Sequence, residues 1–295
     1  MSGKDLGPSG EGLFPPHFDP TYFSAQSWAD RVDRWETDNQ GSVFSGGNVA
    51  VIRQMLSDPE TGLRMVVNIT ADALRSFLSE GRYRNLYDSP LVGGSARQPS
   101  PERVKVDSRF GLGPNVYFGA LALGGTGVRF YGEYCMVIKL DRVPADTRLF
   151  DRDSYDILSE PLNELKLTDE QLKSLGGTWR DDAVDMALRR VLSEVTHNVR
   201  LVTSGTVSER LLRDQEYIEV HLDGTFTPTD LEEVRLSPDD AAAEFAIAER
   251  ERQGLHTTLV EHIWRQRRAD VIQDLAKAKL PVRVVTLHGR GYQWK

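Results

Sequence analysis

The chain has 295 residues, 39% of them hydrophobic and 27% charged, the composition of an ordinary folded protein rather than a disordered or fibrous one. Lys and Arg number 36 against 44 Asp and Glu, a formal charge of −8, which argues against a generalised nucleic-acid coat but leaves room for a local basic cleft. The single cysteine, Cys135, excludes an intramolecular disulfide framework and a cysteine-based zinc site. No apolar run approaches the roughly 18 residues of a membrane-spanning helix, and the first twenty residues hold no hydrophobic stretch of signal-peptide type. The expectation is cytoplasmic synthesis with Cys135 reduced.

In chain order, residues 1–20 are rich in Gly, Pro and Ser and read as a flexible leader. Helical patterns open at Ser27 and run again over 49–56. Leu63–Ile69 is a compact β-branched run of strand length. A helix follows over 71–80, capped by Thr70 or Asp72, with Ala73, Leu74, Phe77 and Leu78 on one face and Gly81 as its stop. Residues 85–114, punctuated by Gly93, Gly94, Pro99, Pro101, Gly111, Gly113 and Pro114, read mostly as loop. Strands are expected around 116–118 and over 134–140, the latter almost wholly apolar and therefore interior.

Residues 159–197 turn helical, with Leu172, Leu175, Val184, Leu188, Val191 and Val195 as core candidates. Strands return at 217–222 and 231–236, separated by the Asp223-Gly224 turn. Two helices, over about 239–252 and 256–278, precede a last strand at 282–287. Few strict β-α-β alternations appear, which favours α+β over a doubly wound sheet. The expected division is residues 1–60 as leader and N-terminal helices, 61–236 as core, and 237–295 as C-terminal helices and strand packed on it.

Several chemistries lack their signatures. There is no GxxxxGK[ST], no GxGxxG between strand and helix, no HExxH and no GxSxG. Gly124-Gly125-Thr126-Gly127 reads as a turn between strands. The six histidines are scattered, so no metal site is expected, and Cys135 sits among large apolar residues as a core thiol.

Val67-Asn68-Ile69-Thr70, followed by Leu74, Phe77-Leu78 and Gly81, resembles the opening of the DNA-targeting ADP-ribosyltransferase toxins and their relatives. There a strand ends in a His-Ile-Thr-like triplet and runs into a helix closed by Gly; Asn68 stands here in place of the His. Asn115-Val116-Tyr117-Phe118-Gly119-Ala120-Leu121 is similar to the strand-then-helix Tyr-Phe segment that stacks on nicotinamide in that superfamily. Glu219-Val220-His221-Leu222-Asp223-Gly224 looks like its catalytic-glutamate strand and glycine turn. Gly81-Arg82-Tyr83-Arg84 is also similar to an element of actinobacterial proteins of unknown function. The resemblance spans roughly residues 61–236.

That resemblance implies an α+β fold with an ADP-ribosyltransferase-like split β-sheet core, a helical insertion and helical N- and C-terminal extensions. It implies a mono-ADP-ribosyltransferase, a toxin or effector that consumes NAD without a metal and modifies a macromolecular acceptor, protein or nucleic acid. No membrane partner is implied; an antitoxin or immunity protein is a further partner it allows, as is delivery to another cell by a signal-peptide-independent route. Two alternatives stay open: NAD hydrolysis on the same fold, and a non-catalytic binding protein.

Breaking the nicotinamide–ribose bond develops positive charge on the ribose, so a carboxylate placed there stabilises the transition state. Glu219 and Glu216 compete for that role. Three apart on a strand, they point to opposite faces. Glu219, flanked by Ile218 and Val220, is favoured, because a carboxylate inside an apolar strand needs a reason to be there. The resemblance points to Arg64, Arg82 or Arg84 as the candidate diphosphate ligand, to Tyr117 and Phe118 as the nicotinamide wall, and to Asn68 and Thr70 at the first strand's end as further NAD contacts. Thr203-Ser204-Gly205-Thr206 reads as a movable acceptor loop ahead of the glutamate.

Overall fold

The computed structural model describes residues 27–39, 47–85, 87, 99–155, 167–193, 202–212 and 217–288. The leader and Val195 lie outside these residues. Helix α1 (Trp28–Asp38) opens on a capping box between Ser27 and Asp30, and α2 (Gly47–Ser57) follows. Strand β1 (Leu63–Ile69) is buried at every position except the half-buried Asn68. The Thr70 side chain accepts the Ala73 N–H to start α3 (Ala71–Glu80), and Gly81 ends it in the left-handed conformation at φ 74°.

Two helices were not expected, the next in the chain and the one over Ser204–Leu211. Pro101–Arg109 forms α4, with Ser100 as N-cap and Pro101 in the first turn, inside the stretch that reads as loop. Strand β2 (Val116–Leu123) continues well past Phe118 and does not turn into a helix after the Tyr-Phe pair. The physical reason is its small residues. A Cβ on Gly119 would collide with the Val66 carbonyl and the Met65 side chain, so this strand packs against β1 along its middle.

Short β3 (Gly127–Val128) and buried β4 (Tyr134–Ile138) follow, then β5 (Arg148–Phe150) and α5 (Asp169–Ser174). Strand β6 (Gly176–Thr178) interrupts the segment expected to be helical before α6 (Trp179–Ser193). Leu172, Leu175, Leu188 and Val191 are buried, and Val184 packs partly buried against them. Ser204–Leu211 is helix α7, started by a Thr203–Thr206 capping box, rather than a movable loop. Strands β7 (Glu219–Asp223) and β8 (Leu231–Leu236) flank a turn in which Gly224 takes φ 96°. Helices α8 (Pro238–Arg252) and α9 (Leu259–Lys277) lead to β9 (Val282–Val284) and β10 (Leu287–His288).

The fold is α+β: a mixed sheet of eight strands in the order β6-β5-β7-β2-β1-β4-β8-β9, with helices around it. Every neighbouring pair is antiparallel except β8 and β9, and β10 pairs in parallel with β3 in a separate ribbon. Among the described residues this is one continuous large sheet, where the resemblance implies a split one. The sheet separates two apolar clusters. The larger holds Met65, Val67, Leu121, Met136 and Leu74; the smaller holds Val66, Ala120, Ala122, Val137 and Cys135. Burial pushes the Cys135 thiol up to about 11, which suits a core residue and not a nucleophile. No described helix is long and apolar enough to cross a membrane.

Candidate active site

Cross-strand register lays out the site. Val66 pairs with Ala120 and Ala120 with Glu219, while Phe118 pairs with His221. Directly opposed residues share a face, so these side chains all lie on the side of the smaller apolar cluster. Above them is a cavity of about 740 Å³, within the range of small-molecule sites.

Glu219 is on its floor and only 3% exposed. Its Oε2 accepts the Ser154 backbone N–H at 2.9 Å and is hydrogen-bonded to His221 Nε2 at 2.8 Å. Burial pushes this carboxyl up, but the His221 ring, the Arg103 guanidinium and the Ser154 N–H outweigh it, and the group is held below the usual glutamate value. It is therefore an ionised carboxylate in a dry place. His221 reaches it because residues two apart on a strand point the same way.

Arg103 comes from α4. Its guanidinium lies over the Phe118 ring, 3.9 Å from the centroid, with Nε 2.8 Å from Asp107 Oδ1. The side chain is 11% exposed, and among the described residues its buried Nη2 has no hydrogen-bond partner. A buried guanidinium with an unused donor beside a cavity is suited to an anionic ligand group.

Asp153 supplies a second carboxylate. Its Oδ2 accepts the Tyr217 hydroxyl at 3.2 Å and the Tyr131 hydroxyl at 3.5 Å, and its Oδ1 accepts the Tyr155 N–H at 2.9 Å. Burial first, then the nearby Glu219 charge, pushes Asp153 up from the ordinary aspartate value. Burial and the same two carboxylates raise Tyr217 as well. Two acids in one cavity are thus driven in opposite directions.

Asn68 performs a different task. Its Nδ2 donates to the carbonyls of Gly132 at 2.8 Å and Tyr134 at 2.9 Å. Its Oδ1 accepts the N–H groups of Phe130, Tyr131 and Gly132. The amide is fully occupied in tying residues 130–134 to β1, and that segment carries Phe130 and Tyr131 along the cavity wall.

No family model, curated protein or solved structure matches this chain.

Of the residues the sequence singled out, Glu219, Asn68, Tyr117, Phe118 and Arg84 line the cavity. Tyr117 does so from a core position: its ring packs with Tyr83 and Phe226 at 5.7 Å on the face opposite to Phe118. Arg84 is paired with Glu80 at 2.5 Å. Arg64, Thr70 and Arg82 do not line it. Arg64 is buried and spends its donors on Glu232 and on the carbonyls of Pro59, Glu60 and Leu63, so it serves as a structural clamp. Thr70 caps α3, and Arg82 is exposed. Glu216 lies outside the described residues.

Sequence reasoning missed Arg103, Asp153, Tyr217 and His221 as site residues. His221 had a readable signal, its i+2 spacing from Glu219. Arg103 had a weaker one, its i+4 spacing to Asp107 after a Ser-Pro-Glu helix start.

Proposed function

We propose that the cavity binds NAD and that the chain cleaves its nicotinamide–ribose bond, transferring ADP-ribose to a macromolecular acceptor as a toxin or effector does. The observation that carries this reading is Glu219: a buried, ionised carboxylate lining an aromatic-walled cavity with the Arg103 guanidinium beside it. As the bond to nicotinamide stretches, the ribose gains positive charge, and a fixed carboxylate stabilises that charge more than it stabilises the ground state. Burial strengthens the effect by excluding water. Arg103 supplies positive charge for the diphosphate, and Arg84 lies along the same lining. The half-buried Phe118 ring, covered on one face by Arg103, adds to the aromatic wall of the cavity. Asn68 and Arg64, which the resemblance places on the dinucleotide, are replaced in this reading by Arg103.

The test uses the full chain with NAD, following binding by calorimetry and nicotinamide release by chromatography. The expected result is binding and release, with Glu219→Gln slowing turnover about a hundredfold or more while the NAD Kd changes little. A wild-type chain that neither binds nor cleaves NAD refutes the reading.

A further inference from the structure

We propose that Asp153 is a second catalytic carboxylate, the base that takes the proton from the nucleophile that attacks the ribose. The proposal rests on the NAD reading above and adds the handling of the acceptor. The placement is specific. Asp153 lines the same cavity as Glu219, and the backbone N–H of the very next residue, Ser154, is bonded to Glu219. The two acids are thus held by one short segment at different depths: Glu219 is fully buried on the floor, and Asp153 is half-buried.

Two exposed residues of the lining, Tyr131 at 62% and Tyr155 at 42%, bond Asp153. The Tyr131 hydroxyl and the Tyr155 N–H both bond its carboxylate. Of the two acids, Asp153 is the more exposed and the one bonded to these exposed lining residues.

Glu219 is unsuited to the task. Its Oε2 already holds Ser154 N–H and His221, and it is needed in its charged form against the ribose. Asp153 is held in place by tyrosine hydroxyls and a backbone N–H, and its surroundings raise its proton affinity, which makes it the stronger base of the two. The charged and titratable groups facing it are Glu219 from β7, Arg103 from α4, Tyr217 just ahead of β7 and Tyr131 from the segment after β3.

The step balances. The bond between the ribose anomeric carbon and nicotinamide nitrogen breaks, and its electron pair leaves with a now neutral nicotinamide. The nucleophile's oxygen lone pair forms the new bond to that carbon. Its O–H proton passes to the Asp153 carboxylate and from there to solvent.

The experiment uses water as acceptor and sodium azide as probe, since azide is an anionic nucleophile with no proton to lose. Wild type, Asp153→Asn and Asp153→Ser are compared for nicotinamide release, NAD binding and far-ultraviolet circular dichroism. Both variants are expected to bind NAD normally, to release nicotinamide about a hundredfold or more slowly in buffer, and to recover with azide while forming ADP-ribosyl azide. Variants as fast as wild type, or slow variants that azide does not restore, overturn the proposal. So does an Asn variant that fails to fold, because Asp153 would then be a structural group. Wild-type cleavage with unaffected variants removes Asp153 alone. A wild-type chain inert toward NAD removes the NAD reading and this step with it.

Discussion

Replacing Asn68 by Ala strips five hydrogen bonds from the segment that carries Phe130 and Tyr131 over the cavity. Three backbone N–H groups and two carbonyls lose their partner at once. At about 1 kcal/mol net for each bond the full loss would be about 5 kcal/mol. Asn68 is only half-buried and Tyr131 is exposed, so water re-satisfies part of the set, and the expected cost is about 2–4 kcal/mol. The assay is urea unfolding of wild type and variant, with the midpoint falling and the slope unchanged. Asn68→His is the sharper variant, because His is the residue that the resembling toxins carry. A neutral imidazole has one donor and one acceptor, against two donors and a carbonyl oxygen, so it should cost nearly as much. A loss below about 1 kcal/mol together with a weakened NAD affinity would refute the reasoning and return Asn68 to the ligand.

Arg64→Leu should destabilise the chain by about 2–4 kcal/mol through the carbonyls and the Glu232 pair it abandons, while NAD affinity by calorimetry stays the same. Arg103→Gln should weaken NAD binding by about tenfold to a hundredfold, the worth of one charge-assisted contact, and should also lower the unfolding midpoint, because the buried Asp107 carboxylate loses its cation. Asp153→Asn should raise the thermal midpoint near neutral pH. Burial and Glu219 make the folded chain hold the Asp153 proton more tightly than the unfolded one, so its ionised form costs stability, and that cost is present above the raised folded value. The gain should therefore shrink as pH falls through that value; an equal gain at all pH values would contradict it.

Much of the frame could be read directly from the sequence. Strand β1, helix α3 with its Thr70 and Gly81 ends, and strand β8 appear where local patterning places them, because each combines a clear period with its own stop signal. Helix α4 was hidden by the glycines and prolines on both sides of it, which mark the borders of a short helix as readily as a loop. Glu219 was legible from its burial within an apolar strand. Asp153 and Tyr217 were not, since their meeting depends on where chain segments 64 residues apart return to the sheet. The same holds for Asn68: its amide is spent on a segment 62 to 66 residues downstream, which no local pattern announces.

The division of the apolar side chains by the sheet bears on how the molecule moves. The larger cluster gathers residues from α1, α2, α3, α6 and α9, whereas Val66, Ala120, Val128, Phe130 and Tyr217 beneath the cavity belong to the smaller one. Few apolar side chains hold that side closed, so it should open as a separate cooperative unit at a lower free energy than global unfolding. Amide protons of residues 129–132 should then exchange with deuterium well before those of β1 and β4, although both sets are hydrogen-bonded. Such partial opening would let a ligand as long as a dinucleotide thread past the Tyr131 side without disturbing the floor on which Glu219 is fixed.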